Sequence, residues 1–140
     1  MPELYDYRIF ISHAWSYGGA YDRLVSLLNK APFFKYRNYS APEDRPLFDT
    51  STYVSTKKLC EAIDKKIAMS QVVIIISGMY YVHREWMEYE LKRAVDMGKP
   101  IIALIPFGAN MMPIEVQRCA TRIVRWNTEC IVSAIREVVR

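Results

Sequence analysis

Gln71–Ser77 reads QVVIIIS and holds five consecutive β-branched apolar residues, Val72 to Ile76. A run with no polar face suits a strand covered by helices on both sides, as the central strand of a parallel sheet is. Downstream, SGMYY leads into a predicted helix from about His83 to Met97, with Gly98 placed as its carboxyl-terminal stop. After Lys99-Pro100 comes a second buried strand, IIALI, at Ile101–Ile105. RIVRW at Arg122–Trp126 predicts a shorter strand, and Glu129–Val139 a closing helix that turns Ile131, Ile135, Val138 and Val139 inward.

Upstream of the central run, Ser55 or Thr56 would cap a helix whose apolar face is Leu59, Ala62, Ile63, Ile67 and Ala68. Lys57, Lys58, Lys65 and Lys66 fall on its wet side. Before it lies a polar stretch, residues 41–52, with Pro42 and Pro46 as helix breakers. Connections in compact domains average about four to six residues, so this length points to a functional or mobile loop. Residues 33–40 (FFKYRNYS) alternate aromatic and polar and predict a short edge strand. Ala20–Asn29 carries Tyr21, Leu24, Val25, Leu27 and Leu28 at helical spacing. The first strand, YRIFIS at Tyr7–Ser12, runs into the polar, glycine-containing SHAWSYGG.

Strands and helices thus alternate, which predicts an α/β fold: a flavodoxin-like three-layer sandwich with a five-stranded parallel sheet in the order 2-1-3-4-5. Its ligand crevice lies between the carboxyl ends of strands one and three, where Ser12, His13, Ser77 and Gly78 would meet. The 140 residues, 51% hydrophobic, suit one domain, 1–140, with one core.

The net charge of +4 is spread along the chain, which favours a nucleotide pyrophosphate over a nucleic-acid duplex, whose partners concentrate basic residues in a stripe. Cys60, Cys119 and Cys130 form no CxxC pair and meet no histidine cluster, so neither zinc nor a disulfide framework is expected. They read as buried thiols in a reducing cytosol. The amino terminus shows no cationic leader and no apolar run approaches the roughly 20 residues a membrane span needs, so a soluble, cytoplasmic protein is expected.

Several occupants of this fold can be weighed by what they require. A phosphoryl-accepting receiver needs acidic residues where Ser12-His13 and Ser77-Gly78 stand, and neither GxGxxG nor GxxxxGK[ST] occurs. A flavodoxin-like nucleotide-binding module stays open, since SHAWSYGG is polar and contains glycine, although it lacks a convincing run of hydroxyl residues for the flavin phosphate. The informative stretch is Ser77–Val95, SGMYYVHREWMEYELKRAV. Trp86 and Glu90 are four apart and share a helix face, with Leu91 and Val95 expected to anchor that face to the sheet. A carboxylate there could reach the crevice; on spacing alone, the preferred reading is that Glu85, Glu88 and Glu90 solvate a helix rich in Lys92 and Arg93.

YRIFISHAW, the long loop before the second helix, and VVIIISGMYY followed by REWMEYEL together resemble TIR domains. SHAWSYGGAYDRLVSLL and NYSAPEDRPL are similar to the bacterial TIR-like branch that includes the ThsB proteins of Thoeris antiphage defence. His13 and the Ala14-Trp15 pair are typical of that branch rather than of receptor adaptors. The resemblance implies that Glu90, in WxxxEL, is the catalytic glutamate of an NAD-cleaving enzyme. It would bind the hydroxyls of the nicotinamide ribose and stabilise the charge that develops as nicotinamide leaves. It further implies NAD as substrate with no permanently bound cofactor or metal, a cyclic ADP-ribose-type product, and a separate effector protein that reads it. Ser12, His13, Tyr80 and Trp86 are the expected substrate-binding residues, with Trp86 able instead to pack on the core and Tyr81 and Asp44, Arg45 and Asp49 as lesser candidates. The alternative is a non-catalytic scaffold that self-associates. No nucleic acid or membrane partner is expected.

Overall fold

The computed structural model describes residues 5–12, 18–39, 53–76, 84–105 and 112–139. Five strands form one sheet: β1 (Asp6–Ser12), β2 (Lys35–Asn38), β3 (Val72–Ile76), β4 (Ile101–Leu104) and β5 (Arg122–Val124). All neighbours are parallel, in the order β2-β1-β3-β4-β5, so the doubly wound α/β topology expected from the alternation is present. The helices are α1 (Gly18–Asn29), α2 (Tyr53–Met69), α3 (Arg84–Asp96), α4 (Ile114–Cys119) and α5 (Thr128–Val138). α1 packs with α5, while α2, α3 and α4 pack in sequence as a second row.

Every residue of β3 is buried, as a strand covered on both faces must be. β1 lies beside it with Ile9, Phe10 and Ile11 sealed from solvent. Successive strand side chains point to opposite faces. Arg8 donates to the carbonyl of Met69 in α2 at 2.8 Å, so Arg8, Phe10 and Ser12 face the α2–α3 row. On the other face Tyr7 stacks on Phe34 and pairs in register with Tyr36, whose hydroxyl donates to Asn29 of α1.

α3 stops at Gly98, which adopts φ +69. Its amide donates to Val95 and that of Lys99 to Ala94, the paired bonds that close a helix on a left-handed glycine. α5 opens on Asn127, whose side chain accepts from the Cys130 amide at 3.1 Å.

The structure corrects several expectations. α2 begins at Tyr53, two residues before Ser55, so neither Ser55 nor Thr56 is its cap. Ala62 and Ala68 are exposed, because the buried arc of α2 is narrow and centres on Ile63 and Ile67. The thiols are not buried: Cys60 and Cys119 are partly exposed, and Cys130 is exposed on the first turn of α5. β2 starts at Lys35, since Phe33 sits at φ +57 and cannot extend the strand. That left-handed backbone costs a non-glycine residue about 1–2 kcal/mol. α4 was not expected; six residues with one buried side chain, Val116, are too few to display a helical period.

Candidate functional site

Among the described residues only Ser12, Ser70 and Glu90 are buried polar side chains. Ser70 satisfies itself within its own chain turn, donating to the Ile67 carbonyl. The other two find each other. Ser12 is the last residue of β1, in register with Ile75 of β3, which puts it at the carboxyl ends of these two neighbouring strands. Glu90 comes from α3, and Ser12 Oγ donates to Glu90 Oε1 at 2.7 Å with both residues 0% exposed. Burying a carboxyl group is costly unless it is hydrogen-bonded, so a fold that holds one here does so against its own stability.

α3 delivers Glu90 by its helical phase. Met87, Glu90, Leu91 and Ala94 form the buried arc of the helix. At 3.6 residues per turn Val95 lies roughly 90° round from the centre of that arc. Val95 is accordingly 49% exposed and does not anchor the helix, contrary to the spacing argument. Glu88 points to solvent while Glu90 does not, which sets aside a purely solvated face for Glu90.

A second set of polar contacts fixes the rotation of α3. Tyr89 donates its hydroxyl to Asp64 Oδ1 on α2 at 2.7 Å, and Arg93 donates to the same oxygen at 3.0 Å. Tyr89 and Arg93 are one turn apart, so both grip α2 from a single face adjacent to Glu90. The sequence reading missed this clamp, whose only signal was the four-residue spacing of a phenol and a guanidinium. Burial first, and then the hydrogen bond to Asp64, push the Tyr89 phenol well above its ordinary value of 10.0. Burial likewise pushes the neighbouring Cys60 thiol up, which makes it a poor nucleophile.

The raised phenol has a consequence for stability. A group whose pKa is higher in the folded state contributes fully below its unfolded value and loses that contribution as pH rises through the folded one. Stability should therefore fall above about pH 10, where the unfolded chain ionises Tyr89 and the folded chain does not. Urea midpoints measured from pH 8 to pH 11 check this: Tyr89→Phe should show a shallower alkaline decline than the wild type, and identical slopes would refute the assignment.

The Ser12 bond makes its own prediction. Ser12→Ala leaves the buried Glu90 carboxyl short of one donor, costing about 1–3 kcal/mol. For a chain of this length the melting temperature should drop by roughly 3–10 °C. Differential scanning calorimetry of the single variant, and of the variant combined with Glu90→Gln, tests whether the loss depends on Glu90.

Of the expected substrate-binding residues, Ser12 is thus beside Glu90. His13 and Tyr80 lie outside the described residues, as do Ser77, Gly78, Tyr81 and the loop of residues 41–52 with Asp44, Arg45 and Asp49. Trp86 is in the first turn of α3, and its side chain lies outside what is described. Among the described residues no group of three or more His, Cys, Asp or Glu is placed to hold a metal ion, and no helix is long and apolar enough to cross a membrane.

Residues 10–110, which contain Ser12, Glu90 and the strands β2, β3 and β4, match the family described as the Thoeris protein ThsB, TIR-like domain. The chain belongs to this family of Thoeris antiphage defence. No curated protein matches it in sequence. In structure it is similar to a conserved protein from Enterococcus faecalis, at 14% identity and a TM-score of 0.64, over 95% of this chain and 99% of that one. At that identity the likeness bears on the fold alone. It extends the likeness in fold over nearly the whole chain, whereas the family match stops before α4.

Proposed function

We propose that this ThsB-type TIR domain cleaves the bond between nicotinamide and ribose in NAD, with Glu90 as its catalytic carboxylate. The observation that carries the reading is the buried hydrogen bond between Ser12 and Glu90 at the carboxyl ends of β1 and β3. Open α/β sheets take their ligands at this place. A carboxylate held there in low-dielectric surroundings is suited to a substrate that develops positive charge.

In the proposed reaction the bond from the anomeric carbon to the pyridinium nitrogen breaks. Its electron pair passes to nicotinamide, which leaves neutral, and the ribose becomes oxocarbenium-like. Glu90 accepts hydrogen bonds from the ribose hydroxyls and stabilises the new charge, while Ser12 holds the carboxylate in orientation. Attack by water with loss of a proton gives ADP-ribose; attack by a hydroxyl of the same molecule gives a cyclic isomer, favoured where water is excluded. The cyclic product would act in the cytoplasm as a messenger for a separate effector protein. His13, Tyr80 and Trp86 are proposed to line the substrate's path, with no resident cofactor.

Mass spectrometry of NAD incubated with the purified protein and with lysate of infected cells tests this. Nicotinamide release together with an ADP-ribose isomer is the expected result. Release that is equal in wild type and Glu90→Gln would remove Glu90 from the reaction. The scaffold reading gives Glu90 no reason to be sealed from solvent, and the burial of its carboxyl group counts against it.

A further inference from the structure

A groove of about 370 Å³ opens on the face of the sheet opposite Glu90, between the α1–β2 turn and α5. Ala31, Pro32 and Val132 supply its apolar lining, and Glu129, Ser133 and Arg136 its polar one. Immediately after Pro32 comes Phe33, whose side chain is the most exposed large hydrophobic among the described residues at 80%. Its ring does not fill the adjoining groove. The fold nonetheless holds Phe33 in place: its backbone takes the left-handed conformation, and its carbonyl accepts from Arg136 Nη2 at 3.1 Å. Arg136 also lies over the Phe34 ring at 5.7 Å. A strained backbone that presents an aromatic ring to water points to a contact made with something else.

We infer that this surface pairs with a second copy of the chain about a two-fold axis, each copy laying Phe33 into the groove of the other. Two features select a second copy as the occupant. Knob and groove are neighbours on one surface, which is what an isologous contact requires, since each partner must supply both. The charges also match themselves. Glu129 and Arg136 are both exposed on α5 and seven residues apart, hence on one helix face two turns from each other. When two α5 helices cross antiparallel near Ser133, Glu129 of each copy meets Arg136 of the other. The small Ser133 side chain permits the close approach.

This surface is independent of the chemistry proposed at Glu90, which arrives from α3 on the opposite face. The contact is modest in extent, so association is weak and concentration-dependent. Analytical ultracentrifugation of the whole chain across a dilution series tests it. The wild type should dimerise reversibly, and Phe33→Gly should weaken the dimer at least about tenfold, as loss of an aromatic anchor does. Glycine accepts the φ at this position, so this variant melts no lower than the wild type and its monomer cannot be blamed on misfolding. Glu129→Arg and Arg136→Glu each set like charges against each other and should be monomeric alone, yet associate when mixed. A wild type that stays monomeric at its highest soluble concentration overturns the proposal. So do dimers that survive Phe33→Gly, and a groove whose Val132 and Ser133 amide resonances answer to an added peptide or small molecule but not to dilution.

Discussion

Glu90→Gln should lose NAD cleavage by a factor of about 10²–10³ in kcat while melting at or above the wild-type temperature. The two halves of this result have one physical origin. Glutamine has the size of glutamate and keeps an Oε1 that accepts from Ser12 Oγ, so the 2.7 Å bond at the end of β1 has a neutral counterpart. What vanishes is the ability to carry a negative charge. In the resting fold such a charge costs free energy, because the carboxyl group is sealed from water and must be compensated by the surrounding groups. In the proposed transition state it becomes an asset, facing an anomeric carbon that turns positive. Removing roughly 2.7–4 kcal/mol of such stabilisation corresponds to the stated loss in rate. Initial rates of nicotinamide release, measured beside calorimetric melting of the same preparations, check both halves. Turnover within about threefold of wild type would sink the catalytic assignment; a melting temperature well below wild type would make the carboxylate a structural group. This expectation rests on the NAD reading, whereas the structural half does not.

The outcome matters because Glu90 could not be assigned from periodicity. Spacing placed Trp86, Glu90, Leu91 and Val95 together, and a helix with so many charges read more readily as a solvated one. Beside Leu91, the phase of α3 is set by Met87 and Ala94, a flexible and a small residue that a hydrophobic stripe of large side chains does not reveal. Resemblance to TIR domains selected Glu90 without saying what would hold it. Ser12 was in view as a crevice residue, but its bond to Glu90 spans 78 positions, and the Asp64–Tyr89 bond spans 25. Contacts of that kind depend on how two helices rotate over a sheet, which no local pattern encodes. The strands behaved differently. β3 and β4 announce themselves because burial on both faces demands unbroken apolar runs, and the parallel order follows from alternation with helices. Phe33 shows the opposite limit: an aromatic pair reads as strand, and only backbone geometry shows that the first of the two turns away.

The second large effect expected is on the platform beneath the site. Phe10→Ala should cost about 3–5 kcal/mol, a large share of the 5–15 kcal/mol that holds a typical domain folded. Phe10 is 0% exposed in β1, in register with Val73 of β3 and one residue beyond the last β1–β2 pair, Ile9 with Asn38. Backbone pairing on both sides prevents β1 from collapsing into the space a benzyl group vacates, so the cavity term should persist. For 140 residues the melting temperature should fall by roughly 10–20 °C, with the urea midpoint lowered and the slope unchanged. Phe10→Leu should recover most of the loss, because it restores volume on the same face. Phe10 and Ser12 are two apart and point to the same side of the sheet, towards α2 and α3. The cavity therefore opens next to the hydroxyl that orients Glu90, and hydrogen exchange of the β1 and α3 amides should accelerate before that of α5. Exchange that rises uniformly across the chain would show instead that Phe10 supports the whole core and not this corner of it.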